Sequence, residues 1–405
     1  MAQLISADEI HQLVSVYAEQ VKQIRRHLHQ YPELSFEEYK TSEFIQQQLT
    51  QAGIPFTIGH VKTGIVALIK GNNPDKKTIL LRADMDALPI TEKNEVTYKS
   101  SNEGVMHACG HDAHSACALG AAFILNRLKN QFEGTVKIMF QPGEELLPGG
   151  ASLMIKEGVL ENPRVDKAIA LHVFPSMEVG RVGFKSGMYM ASTDELYLTV
   201  NGKGGHAAMP AEYNNPLLIA AEIILAVQNK FMKPGALKGT AGENIPTVVA
   251  FGKIEGKGAT NVIPASVELA GTFRTMDENW RASVHKQLHE LVKTISENYR
   301  AQCVLRIEKG YPFLVNDIPF TNSCMEAAQL FLGKEQVEEL PLRMTAEDFA
   351  FISQKVPSCF FRLGTANKEK GITAGVHTAT FDIDEEALLT GVGLMAWLAI
   401  RELAA

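Results

Sequence analysis

Between residues 84 and 206 the chain concentrates side chains that bind metals and move protons. Met106-His107-Ala-Cys109-Gly-His111-Asp112-Ala-His114 places three of the twelve histidines within eight residues, beside a thiol and a carboxylate. Asp84 and Asp86 follow the apolar run 78–83. Glu144 and Glu145 follow the run 136–140 and a Pro-Gly turn, and His172 follows 168–171. Thiolate, imidazole and carboxylate together suit Zn, Mn, Co or Ni better than Mg or Ca. Several such groups can hold two metals about 3.5–4 Å apart, an arrangement used for hydrolysis. Neighbouring carboxylates can also divide their work, one on a metal and one as a general base.

Each residue has a plainer reading. A free cysteine is often a small buried hydrophobe, which suits Cys117, Cys303, Cys324 and Cys359. Single histidines usually satisfy local hydrogen bonds, and adjacent acids usually form a solvated face. The density of the 107–114 cluster decides for a metal site. The Gly-rich turn 202–210 ends in His206, which its backbone could place over a substrate. It lacks the G-x-x-x-x-G-K-[ST] spacing of a phosphate loop. There is no G-x-S-x-G elbow, and His289-Glu290 continues as Leu-Val-Lys, so there is no H-E-x-x-H.

The elements that must position these groups alternate. Helical spacing covers most of 8–50, broken at Pro32. Residues 65–69, 78–83, 136–140, 168–171 and 359–363 read as strands, and 111–128, 151–157 and 385–400 as helices. This predicts an α/β fold with a doubly wound, mostly parallel sheet. Ligand groups then converge at the carboxyl ends of its strands. Strict alternation at 195–200 marks a change of texture. With strands at 247–254, 267–274 and 303–308 and helices at 216–229 and 279–299, it predicts an inserted α+β sandwich. The expected domains are 1–186 with 310–405, and 187–309.

The 405 residues amount to two or three domains at about 150 each. Lys and Arg total 39 against 46 Asp and Glu, a net charge of −7. That balance, with no basic block, argues against nucleic-acid or membrane partners. Asp8 and Glu9 precede any Lys or Arg and no long apolar segment follows, so no signal peptide is expected. The apolar stretch 388–400 is short for a bilayer span and predicts a buried terminal helix. Five scattered cysteines, an odd number, fit a reducing cytoplasm.

Ten motifs in order resemble the zinc-dependent aminoacylase and carboxypeptidase superfamily, in its amidohydrolase branch acting on N-acyl amino acids, hippurate and auxin conjugates. They are Arg26-His-Leu-His29 with Pro32-Glu33-Leu34, Arg82-Ala-Asp84-Met-Asp86-Ala-Leu-Pro89, 106–114, Phe140-Gln-Pro-Gly-Glu-Glu145, Leu171-His172-Val173, 202–210, Asn261-Val-Ile-Pro264, Gly271-Thr-Phe-Arg274, Glu347-Asp348-Phe349 and His377-Thr378. The resemblance implies two divalent metals (Zn, Mn, Co or Ni) on Cys109, His111, Glu145, His172 and His377. It makes Glu144 the base that activates a metal-bound water and His206 the group that polarises the scissile carbonyl, within its own subunit or a neighbour's. Asn261 and Arg274 would hold the substrate carboxylate. Other branches carry His-x-Asp where this chain has Asp84-Met85-Asp86, so Asp84 and Asp86 are expected to orient ligands rather than bind metal. The expected assembly is a homodimer, or a tetramer built from it, through the inserted domain.

The expected reaction is amide hydrolysis of an N-acyl amino acid to a carboxylic acid and a free amino acid. A dipeptidase or carboxypeptidase would use the same ligands with another pocket. A thiol hydrolase would use Cys109 as nucleophile and a nearby histidine as base, without metal. A non-catalytic binding protein would bind metal without turnover.

Overall fold

In the computed structural model, which describes residues 5–232 and 245–404, the chain divides into two units. The first comprises Met1–Gly187, Val315–Pro341 and Asp348–Ala405; the second comprises Met188–Leu314 and Leu342–Glu347.

The first unit is organised by Thr78–Asp84, a strand whose seven residues are all buried. Burial on both faces is the mark of a central parallel strand. It lies between Thr135–Gln141 and Lys167–Glu178, parallel to both, and Ser358–Ala366 continues the parallel core. Phe56–His60 and Gly64–Lys70 extend one side antiparallel, and Val182–Phe184 and Val337–Glu339 complete eight strands on the other. The Ala-rich helix His111–Leu128 packs against Ala7–Gln30 and Ala387–Ala404. The contact is close: a Cβ on Gly120 would stand 2.6 Å from Val392 and 2.8 Å from Val21. Ala387–Ala404 is long and apolar enough to cross a membrane, but 78% of it is buried in the fold, as a core helix is.

Arg82 is the unexpected occupant of the central strand. Its guanidinium donates to Asp84 Oδ2 at 2.6 Å, Asp348 Oδ1 at 2.6 Å and Gln141 Oε1 at 2.8 Å. Asp348 Oδ2 in turn accepts from Gln141 Nε2 and the Ala151 N–H. One cation therefore ties three segments beneath the candidate site. Arg82→Met would strand two buried carboxylates, and breaking a buried pair in this way costs about 3–5 kcal/mol. Urea unfolding of the metal-free variant should show that loss; an unchanged midpoint would contradict it.

In the second unit the four-stranded antiparallel sheet runs Thr247–Glu255, Ser266–Thr275, Asp194–Asn201, Gln302–Lys309. Alternate residues Leu196, Leu198 and Val200 turn inward against helices Pro216–Phe231 and Glu278–Asn298. Buried Asp194 accepts from Arg281 Nε at 3.0 Å, His285 Nε2 at 2.6 Å and Gly310 N–H at 3.1 Å. This anchors the sheet's central strand to a helix and to the end of Gln302–Lys309.

Candidate metal centre

The centre forms at the carboxyl ends of the parallel strands, where loops leave the sheet and side chains can converge. Asp84 ends its strand and Asp86 follows it. His111 opens its helix after Gly110, whose φ of +86° and 2.5 Å clearance from Val173 both demand glycine. The strand Thr135–Gln141 delivers the turn Pro142-Gly143-Glu144-Glu145. His172 lies within Lys167–Glu178 rather than after its end, because that strand continues alongside Ser358–Ala366 past residue 171. His377 adopts φ +62° and donates its backbone N–H to Ala108 O at 2.7 Å, which brings it to the 107–114 cluster.

These residues meet around Cys109. Its Sγ lies 3.4 Å from His172 Nε2 and 3.3 Å from His377 Nε2. His377 Nε2 is 3.2 Å from Glu145 Oε1, and His111 Nε2 is 3.9 Å from the same oxygen. Ligand atoms of Cys109, His111 and His172, of Cys109, Glu145 and His377, and of His111, Glu144 and Glu145 each fall within 4.8 Å of one another. The five residues expected to bind metal are thus brought together, with Glu144 beside them.

Hydrogen bonds fix the rings. His111 Nδ1 donates to Asp86 O at 2.8 Å, and His172 Nδ1 to Val173 O at 2.8 Å, so each presents Nε2. His111 Nε2 and Glu145 Oε1 are buried without a hydrogen-bond partner. Unpaired buried polar atoms facing one another are costly and fit a cation between them. The mixed S, N and O donor set fits Zn, Mn, Co or Ni.

Two histidines of the dense cluster do other work. His114 donates from Nδ1 to Asp84 Oδ1 at 2.6 Å and accepts the Val173 N–H at Nε2, 2.9 Å away. Both its nitrogens are used, although Asp84, His111 and His114 also lie within ligand range of one another. His107 is buried with neither ring nitrogen paired, and burial pushes its pKa down to about 4. Asp86 Oδ2 accepts from Ser35 Oγ at 2.6 Å and from the Glu145 N–H at 2.9 Å.

The electrostatics follow from burial and neighbours. Burial disfavours the Asp84 carboxylate, yet Arg82, His111 and His114 together hold it well below the usual range. Burial pushes the Cys109 thiol well up, and Glu145 and Glu144 push it further. Burial also works against His111, but Asp84, Cys109 and Asp86 outweigh it and raise its pKa well above normal. His172 is driven well down by burial and by Arg362.

His206, Asn261 and Arg274 belong to the second unit. Exposed His206 sits in the short strand Gly205–His206, paired with Val262–Ile263, and the adjacent Asn261 O accepts the Ala207 N–H at 3.0 Å. The Gly-rich turn is thereby pinned to the Asn261 segment. Half-buried Arg274 lies on Ser266–Thr275 and donates to Met344 O at 3.0 Å; burial lowers its pKa.

Residues 80–401 match the model of peptidase family M20/M25/M40. Thermostable carboxypeptidase 2 of Saccharolobus solfataricus is 37% identical over 386 residues, covering 94% of each chain. N-acetyl-L-cysteine deacetylase of Bacillus subtilis is 37% identical over 376 residues, 93% of this chain and 86% of that protein. A solved Bacillus subtilis structure, described as a dinuclear metal-binding peptidase of the M20 family, superposes with a TM-score of 0.82 at 33% identity, covering 96% of this chain and 99% of that one. Sequence, fold and the converged donor set agree: the chain belongs to peptidase family M20/M25/M40 and is an enzyme that hydrolyses amide bonds.

Proposed function

We propose that the protein is a two-metal amidohydrolase that releases a free amino acid from an N-acyl amino acid. The observation that carries this is the Glu144-Glu145 turn: Glu145 stands 3.2 Å from His377 Nε2 among the donor groups, while Glu144 lies beside them. Cys109, His111, Glu145, His172 and His377 would hold the metals; Cys109 Sγ lies between His172 Nε2 and His377 Nε2. When bound, the metals supply Lewis acidity toward the carbonyl and ease ionisation of water. Glu144 takes a proton from the attacking water as the C–O bond forms and returns it to the nitrogen as the C–N bond breaks. His206 stabilises the developing oxyanion, and Asn261 and Arg274 bind the substrate carboxylate, a task suited to a guanidinium fork. The deacetylase relative supports an acyl amino acid as substrate. Exposed Leu218 and Leu225, one heptad apart on Pro216–Phe231, support homodimer formation through this unit.

The carboxypeptidase relative favours a second reading, cleavage of a peptide bond by the same groups. A metal-free thiol mechanism is disfavoured because burial, Glu145 and Glu144 raise the Cys109 pKa while burial drives the neighbouring His172 well down, the opposite of what a thiolate and its base need. The deciding experiment measures free-amine release from N-acetyl, N-benzoyl and indoleacetyl amino acids beside dipeptides, with added Mn²⁺ or Zn²⁺ and a chelator control. Chelator-sensitive turnover of acyl amino acids is expected. Turnover of dipeptides alone would transfer the protein to the second reading, and activity that survives exhaustive chelation would overturn both.

A further inference from the structure

The Pro32-Glu33-Leu34 motif is absorbed by none of the roles above, yet the segment that follows it reaches the catalytic turn. Ala87 N–H donates to Glu33 O at 2.8 Å, and Leu34 bridges Ala87. Ser35 Oγ bonds Asp86, and the Phe36 ring presses on Gly143, where a Cβ would stand 2.4 Å from it. Phe36 itself holds φ +65°, a conformation that non-glycine residues keep only under constraint. Behind it lies Glu38, fully buried. One Glu38 oxygen accepts the N–H groups of Phe36 and Gly143, both at 2.8 Å, and the other accepts Thr63 Oγ1 at 2.7 Å.

The backbone on either side of Glu144 is therefore gripped by two buried carboxylates. Glu38 holds the Gly143 N–H, and Asp86 holds the Glu145 N–H at 2.9 Å. We infer that Glu38 is a positioning residue for catalysis: by gripping Gly143 it sets where the Glu144 carboxylate stands over the metal centre. The inference rests on Glu144 being the base in the proposed reaction. A buried carboxylate is a costly way merely to fill space, and burial pushes this one up to about 7. What makes the residue useful is a fixed acceptor, and a glutamine carbonyl supplies one of the same shape.

The test compares Glu38→Ala and Glu38→Gln in the metal-loaded enzyme. For Glu38→Ala we expect amide exchange across 143–145 to quicken at least tenfold with the rest of the sheet unchanged. Metal content and KM should hold, while kcat falls by about a hundredfold, the cost of an ångström's misplacement of a catalytic group. Glu38→Gln should restore both exchange protection and kcat. Unchanged exchange in Glu38→Ala overturns the grip whatever the substrate proves to be. Faster exchange with unaltered kcat overturns the positioning role, and equal loss in both variants with exchange raised throughout the chain marks Glu38 as merely structural. If the wild type hydrolyses nothing in the substrate panel, the reading of Glu144 fails and the catalytic role of Glu38 falls with it, while the exchange measurement still decides the grip.

Discussion

Glu144→Gln should keep the fold and the metals and lose at least about a thousandfold in kcat, within the range that positioned acid–base groups contribute. Glutamine matches the size of glutamate and can still accept the Asp348 N–H, which lies 3.3 Å from Glu144 Oε1. It cannot carry a proton from water to the departing nitrogen. The loss should fall on kcat with KM little changed, since the proposed role is in proton transfer and not in holding the substrate. A thousandfold loss corresponds to about 4 kcal/mol of transition-state stabilisation. The measurement is steady-state kinetics beside metal analysis of the same preparation. Residual turnover above about a tenth of wild type would be far too much for a lost proton carrier. Loss of metal together with activity would point instead to Glu144 as a ligand.

What could be read before the structure, and what could not, separates along physical lines. A metal site at 107–114, Glu144-Glu145 and His172 was legible because ligand-type side chains cluster at a helix start and after apolar runs, and parallel strands end on one edge; which of them bind metal came from the resemblance. His377 was reached only through resemblance, since a lone histidine 268 residues from Cys109 carries no local signal. His114 shows the limit of density as evidence. It shares the cluster with His111, but one helical turn later both its nitrogens are taken by Asp84 and Val173. Arg82 was visible as an arginine inside an apolar strand, yet its partner Asp348 lies 266 residues away. Glu38 left no usable mark: an acid at the start of an amphipathic helix reads as solvated, and only tertiary packing buries it against Gly143. The strands Phe56–His60, Val182–Phe184 and Val337–Glu339 went unanticipated because short outer strands carry too few residues to show a period.

Metal binding should release about two protons per site at pH 7, and affinity should rise with pH. The sign follows from the protons that the ligands carry without metal. The Cys109 thiol is pushed well above its ordinary pKa by burial and the neighbouring glutamates, so it holds its proton. His111 is held protonated by Asp84 and Asp86 against the opposing effect of burial. Both must deprotonate to bind a cation. His172, driven well down by burial, is already neutral and releases none. His377, raised by the Glu145 carboxylate 3.2 Å from its Nε2 despite partial burial, adds a further fraction that grows as pH falls. Each displaced proton makes the apparent dissociation constant fall about tenfold per pH unit. Calorimetric titration of Zn²⁺ or Mn²⁺ into stripped protein, in buffers of different ionisation heat, counts the protons directly. Uptake independent of buffer and pH would remove Cys109 and His111 from the ligand set. The same linkage sets how the enzyme fails in acid. If protons displace the metals, excess metal should move the acid limb of activity to lower pH; a limb that ignores metal concentration would place the titration on a group that binds none.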